Sequence, residues 1–582
     1  MQHDLTSPLS FNPVPATRHD DATDPHHGPS PVQRLVALLR AEGGDLWVVF
    51  VYAVGVGLLS LAVPVAVASL VNTVSFGTVL QPVVVLTFLV FLGLLFEGLM
   101  RALQFWVVEL LQRRVFVHVA IDLAHRLPRV RAEAFDRANG AELVNRFFDV
   151  LTVQKSAASL LLDGLAIILQ AVIGTLLLAF YHPLLLGFDL VLILGIAVIL
   201  FPLGRDAIPT SVAESKAKYA VAAWLEELAR HPRAFRAADA SRFAARRADE
   251  LVRNYLGARA RHFRIVLRQH VGALGFKAIL SAALLGLGGW LVINRGLSIG
   301  QLAAAELIVT AVVTGMTKFA KQLDAYYDLV TAIDKVGHLT DLPLERTGGS
   351  PAPACGSHGV ELSVRDLSFS YDGVAGDLHD VNLTVNPGGR VAVLGRSGAG
   401  KSALADVIQG LRAPSRGHVR LDGADLRELS LDSVRARLVV VRDTEVFDGT
   451  VADNIALGRP EVTPERVRSV LAALRLDDAV AALPEGVHTT LQAHGAPLSS
   501  GEARRLMFAR AIAGRPGLLV IDGALDAFDR ATAQEILRVL LDRDAPWTLV
   551  VLTQHEEIAA RCEATFTLRN GTLAPLRAHR EG

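Results

Sequence analysis

Val391-Ala-Val-Leu-Gly395-Arg396-Ser397-Gly398-Ala399-Gly400-Lys401-Ser402-Ala-Leu-Ala-Asp-Val-Ile-Gln-Gly-Leu411 decides how the C-terminal part of this chain folds. Four apolar residues read as a buried strand. A glycine-rich loop follows, and the periodicity of ALADVIQGL reads as a helix. The pattern G-x-x-x-x-G-K-S between strand and helix predicts a phosphate cradle. Its glycines let backbone N–H groups turn toward phosphate oxygens, and the helix N-terminus adds partial positive charge. Lys401 is expected to reach the β- and γ-phosphates and the Ser402 hydroxyl to ligate Mg²⁺. The chain has 50 Arg and 8 Lys, and Lys401 is the only lysine between 336 and 582. One compact ammonium among guanidinium groups points to a position fixed by chemistry.

Further along, Leu518-Leu-Val-Ile-Asp522 is an apolar strand that ends in an acid. A strand delivering a carboxylate beside a phosphate loop is the second metal-holding element of such sites. Ser402 and Asp522 are thus the expected Mg²⁺ ligands.

Upstream the chemistry changes. The chain has 582 residues, 51% of them hydrophobic and 20% charged, and Leu46–Phe96 contains no charged residue. Such a stretch exceeds the roughly 20 residues of one bilayer span. A break at Asn72–Gly77 predicts two spans, about 46–71 and about 79–110, with Glu97 and Arg101 paired four residues apart. Further spans are expected at about 160–180, 184–204, 270–293 and 297–318, with a surface helix at 31–40 ahead of them. The long segments 111–158 and 205–268 are Arg-rich, and the short turns contribute only Arg295. The positive-inside rule places these segments and both termini in the cytoplasm. Their Ala/Leu/Glu/Arg content predicts helices that continue well beyond the bilayer. Among the intramembrane charges Glu97, Asp189, Lys277 and Glu306, Lys277 is placed to meet Glu306, as a structural pair or as part of a polar path. The domains are then a tail at 1–30, a six-span membrane domain at 31–343, a linker at 344–358 and an α/β nucleotide-binding domain at 359–582. Zero formal net charge argues against a nucleic-acid partner, and two cysteines exclude a disulfide scaffold or Cys-based zinc cluster.

With these residues in view, about residues 31–575 resemble the ATP-binding cassette (ABC) transporter family, specifically its exporter-type half-transporters. Leu498-Ser499-Ser500-Gly501-Glu502 resembles the LSGGQ signature, departing at Ser500 and Glu502. Tyr371 matches the aromatic residue that stacks on adenine, and Asp526–Asp529 resembles the D-loop. Phe135–Arg146 and about 223–235 resemble coupling segments. The resemblance implies an α-helical membrane domain of six transmembrane helices plus an α/β P-loop NTPase domain. It implies ATP and Mg²⁺ as cofactors, a second half-transporter as partner, an exported substrate of unknown identity, and an inner-membrane location suggested by the GC-rich bacterial composition.

Three positions depart from the family. Gly523 stands where the general base Glu belongs, Arg442 where the Mg²⁺- and water-contacting Gln belongs, and Gln554 where the switch His belongs, with His555 one place later. A glycine accepts no proton, and losing a positioned base costs roughly 10²–10⁴-fold in rate. The expectation is a site that binds nucleotide and hydrolyses it slowly, in the degenerate half of a heterodimer. A homodimer with two slow sites, or a nucleotide-gated regulator without net transport, stays open. A slip that brings His555 into the switch position, or Asp526 serving as base, stays open too.

Overall fold

The computed structural model describes residues 33–34, 36, 40, 43–76, 80–136, 144–181, 183–353, 358–371, 377–492 and 495–576. The chain divides into two compact units, Met1–Pro343 and Leu344–Gly582.

The first unit is helical, with six rods among the described residues. The first rod is Gly43–Leu59 and Ala62–Phe76, interrupted at Ser60–Leu61, and the second is the 47-residue helix Leu80–Arg126. The third runs Asp149–Ser159, a π-helical segment Leu160–Gly164, and Leu165–Tyr181. The fourth is Pro183–Leu200, followed after turns by Ala207–Arg230. The fifth is the 56-residue helix Ala238–Ile293 and the sixth the 42-residue helix Ile299–Thr340. At ~1.5 Å rise per residue the fifth is ~84 Å long, far more than a bilayer requires. Four stretches are long and apolar enough to cross a membrane: Gly43–Val74, Leu80–Arg129, Arg146–Tyr181 and Asp239–Ile293. Among the described residues, Leu190–Ile199 and Ile299–Val312 are shorter apolar runs within the fourth and sixth rods.

The first rod ends at Phe76 and the second begins at Leu80, so the two expected spans separate at the C-terminal end of the stretch Asn72–Gly77. The helix runs on to Phe76, with the Thr73 hydroxyl donating back to the Ser69 carbonyl at 2.7 Å. A separate interruption within the first rod sits at Ser60–Leu61, because Pro64 has no N–H to offer the Ser60 carbonyl. Gly77, most of the surface helix at 31–40, and residues 137–143 of the first coupling segment lie outside the described residues. Glu97 pairs with Arg101 at 2.7 Å as expected. The expected Lys277–Glu306 pair does not form: Glu306 Oε2 is buried with no hydrogen-bond partner among the described residues. The side chain of Asp189 lies outside the described residues. Two glycines set close helix packing. A Cβ on Gly195 would fall inside the Phe276 ring, and one on Gly300 would lie 2.5 Å from the Ala68 carbonyl oxygen. The sixth rod starts at a capping box, with Ser298 accepting from the Gln301 N–H and the Gln301 side chain accepting from the Ser298 N–H.

The second unit is α/β. Its strands are β1 Leu362–Phe369, β2 Leu378–Val385, β3 Arg390–Leu394, β4 Arg416–Leu421, β5 Ala424–Asp425, β6 Leu438–Val441, β7 Gly449–Thr450, β8 Thr490–Leu491, β9 Leu518–Asp522, β10 Thr548–Thr553, β11 Ala564–Arg569 and β12 Thr572–Leu576. The main sheet has the order β12-β11-β3-β10-β9-β6, parallel except for β12. A four-stranded antiparallel sheet, β2-β1-β4-β5, and the pair β7-β8 accompany it. Alternate residues of β9 enter two different cores. Leu519 and Ile521 pack with Leu506 and Phe508, whereas Leu518 and Val520 pack with Leu404 and Ile408. Helices on both faces explain why this strand reads as continuously apolar. Part of the stretch read as a linker is bound to this unit: Ser350 donates its N–H to the Glu428 carbonyl, and the Ala352 N–H reaches Ser433 Oγ.

Candidate functional site

β3 ends at Leu394, and the chain turns through Gly395–Gly400 into the helix Lys401–Ile408. Gly398 and Gly400 have φ of +80° and +102°, which side chains rarely adopt, so the loop needs glycine at both. The helix is held by Leu404, Val407 and Ile408, all buried against the sheet. Lys401 Nζ donates to the Gly395 carbonyl at 2.7 Å and the Arg396 carbonyl at 3.0 Å, so the ammonium lies over the loop. The predicted phosphate-cradle residues, Gly395 through Ser402, are therefore brought together.

Asp522 and Arg442 meet because β6 and β9 run parallel in register, with Val441 opposite Ile521. Each residue is one place further on. Arg442 Nε lies 2.5 Å from Asp522 Oδ2, and its Nη2 lies 2.7 Å from Asp406 Oδ1 and 3.0 Å from the Ser402 carbonyl. Burial alone would depress the basicity of this guanidinium. Asp406 and Asp522 outweigh that and raise it above the ordinary arginine value. Asp406 is a participant that the sequence reading missed. The available signal was an acid inside an otherwise apolar helix, ALADVI. Both carboxylates are nearly withdrawn from water, with Asp522 at 5% and Asp406 at 7% exposure.

The expected Mg²⁺ ligands were Ser402 and Asp522. A divalent ion there needs acceptor oxygens with free lone pairs at ~2.0–2.1 Å. Asp522 Oδ2 is instead covered by a fixed cation that offers only donors. The residues present do not fit a bound magnesium ion.

Tyr371 sits just beyond β1. Its hydroxyl donates to Asp406 Oδ2 at 2.7 Å, its ring meets Phe369 edge-on at 4.8 Å, and the Arg412 guanidinium lies 5.2 Å from its centroid. Burial first, then the bond to Asp406, pushes the phenol pKa up. Tyr371 is thus tied into the same network as Arg442 through Asp406. Gly523, directly after β9, has φ +66°, and a Cβ there would meet nothing within 4 Å. β10 keeps unbroken parallel register with β3 through Thr553, which leaves no slip within the strand. Gln554 follows directly, and His555 lines a cavity with Phe528, Gln534 and Arg561 that contains no phosphate-loop residue. Asp526 accepts from the Gln554 N–H at 3.1 Å and from the Thr553 hydroxyl, so both of its oxygens are engaged.

In the signature stretch Leu498 is buried and Ser499 caps the helix Ser500–Ala513. Ser499 Oγ accepts from the Glu502 N–H at 3.3 Å, and Glu502 Oε2 accepts from the Ser499 N–H at 2.7 Å. Glu502 therefore closes a capping box and leaves Gly501 on the first turn, where the helix end offers N–H groups.

A second polar cluster lies within the helical unit. Tyr219 donates to Asp149 Oδ2 at 2.6 Å, Lys335 Nζ lies 3.6 Å from the same oxygen and 4.0 Å from the Tyr219 ring centroid, and Lys335 also donates to Ser215. The sequence reading did not single these residues out. Asp149, Ser215 and Tyr219 lie in the Arg-rich segments, where charges look solvated, and Lys335 lies near the end of the sixth rod.

Residues 378–526 match the family profile described as ABC transporter. A multidrug efflux ATP-binding/permease protein of Mycobacterium tuberculosis is 30% identical over 53% of this chain, but the match covers only 25% of that protein. A mycobactin import ATP-binding/permease protein of Mycolicibacterium thermoresistibile is 29% identical over 78% of this chain and 80% of its own length. The structure of a bacterial Atm1-family ABC exporter with ATP bound superposes with a TM-score of 0.79 at 21% identity, covering 92% of this chain and 95% of that one. The chain has that exporter fold, a helical membrane domain joined to an α/β nucleotide-binding domain.

Proposed function

We propose that this chain, an ABC transporter ATP-binding and membrane protein with the exporter fold, is the degenerate half of a heterodimeric transporter. Its own site would hold nucleotide and hydrolyse it slowly. The observation that carries this reading is Gly523: no side chain stands where β9 would otherwise deliver a general base, while the phosphate loop and Lys401 are intact. In the reading, Gly395–Ser402 bind the phosphates, Lys401 leaves the loop carbonyls for the β- and γ-oxygens, and Tyr371 flanks the base. The partner chain supplies the hydrolytic Walker motifs, and Leu498–Glu502 close over its nucleotide. Both termini lie on the cytoplasmic face of the inner membrane.

The chain, purified alone in nanodiscs, is expected to bind a fluorescent ATP analogue and to release phosphate at a rate that Lys401→Ala leaves unchanged. Brisk release abolished by Lys401→Ala overturns the reading. A second reading, a homodimer with two slow sites, is favoured by one observation. Ser500 and Glu502 make the donated signature imperfect as well.

A further inference from the structure

Asp522 and Asp406 both meet Arg442 and are almost withdrawn from water. Two such carboxylates need positive charge within contact distance. Arg442 supplies it from a fixed place, because the parallel pairing of β6 with β9 sets it beside Asp522. One guanidinium joins three groups: Nε meets Asp522, and Nη2 meets both Asp406 and the Ser402 carbonyl on the phosphate-loop helix. Its Nη1 makes no hydrogen bond among the described residues and is left to meet a phosphate oxygen. A metal ion on Asp522 would have to displace this ion pair and would then lie against the guanidinium.

We propose that Arg442 is a tethered cation standing in for the divalent metal, so that this site takes a metal-free nucleoside triphosphate. The proposal deepens, and rests on, the reading that the phosphate loop binds nucleotide. Asp522 then acts as the anchor of Arg442, a positioning residue, and not as a metal ligand. In a magnesium-dependent site, chelation strips the nucleotide of its principal counter-charge. Here that charge is covalently part of the chain and survives chelation.

The test is equilibrium binding of a fluorescent ATP analogue to the full-length chain in nanodiscs, with excess EDTA and with excess magnesium. Wild-type affinities are expected to agree within about threefold, and Arg442→Gln, which frees Asp522, to bind roughly tenfold more weakly in EDTA than in magnesium. Arg442→Lys keeps the charge without the fork and is expected to stay indifferent to the metal, a check should Arg442→Gln fold poorly. Wild-type binding only with magnesium overturns this inference and leaves the nucleotide site standing. Metal-indifferent binding by Arg442→Gln overturns the assignment to Arg442. Absence of binding in both buffers overturns the nucleotide site and this inference with it.

Discussion

Gly523 is, in the proposed reading, a missing base, and in the structure it is a special backbone conformation. At φ +66° a side chain pays in sterics what glycine does not, about 1–2 kcal/mol. The space around it is open, so the penalty is confined to the backbone. Gly523→Glu is therefore expected to lower stability by about 1–2 kcal/mol, read as a lower unfolding midpoint. It should raise ATP turnover by well under the ~10²–10⁴-fold of a positioned base, because a strained backbone aims the new carboxylate poorly and Arg442 remains in place. Phosphate release measured beside the melting curve checks both halves; full restoration without a loss of stability would contradict the argument. A milder change at the same scale is Tyr371→Phe, which removes one donor from the buried Asp406. It should cost about 1–3 kcal/mol of stability and leave the affinity for nucleotide nearly unchanged. Thermal melts paired with nucleotide titration separate the two effects.

At the scale of elements, local patterns were legible and long-range meetings were not. The strand–loop–helix of 391–411 is written in consecutive residues, and each feature of it is present: an apolar run, glycines at positive φ, a buried helix face. The departure at Arg442 could also be read from the chain, but not its partners. Asp406 lies 36 residues before it and Asp522 lies 80 after; the parallel register of β6 and β9 brings Asp522 to Arg442, and the helix Lys401–Ile408 packed on the sheet brings Asp406. The interruption inside the first rod, which the sequence reading did not anticipate, has a physical reason as well. Asn72 and Thr73 look like turn residues, yet a hydroxyl that bonds its own helix is tolerated, while Pro64 breaks the ladder upstream. The polar cluster between the helices was equally hidden, since Asp149, Tyr219 and Lys335 are far apart in sequence. Burial lowers the Lys335 pKa from 10.5 to about 8, with Asp149 opposing. The unfolded chain then holds more protons than the folded one between those values, so stability rises with pH across that window and is lost as pH falls through about 8. Denaturant midpoints across that range should climb for the wild type and stay flat for Lys335→Met.

At the scale of the whole molecule the question is whose nucleotide the signature serves. In the exporter resemblance, Leu498–Glu502 of one chain close over the phosphate loop of the other, so the defects at Gly523 and Glu502 act on different sites. Glu502 sets a carboxylate at a helix end that would otherwise favour an anion. Glutamine can close the same capping box without the charge, so Ser500→Gly combined with Glu502→Gln should leave the helix standing. Removing one charge at a helix end is worth about 0.3–2 kcal/mol, or up to roughly thirtyfold in an equilibrium. If a partner with an intact base completes the transporter, this double variant should raise ATP turnover of the co-purified complex several-fold while the isolated chain stays slow. If two copies of this chain work together, both sites lack a base, and repairing the signature cannot supply one; turnover should then stay flat in every preparation. Phosphate release from the complex and from the lone chain, each with and without the repaired signature, separates these two assemblies without knowledge of what is transported.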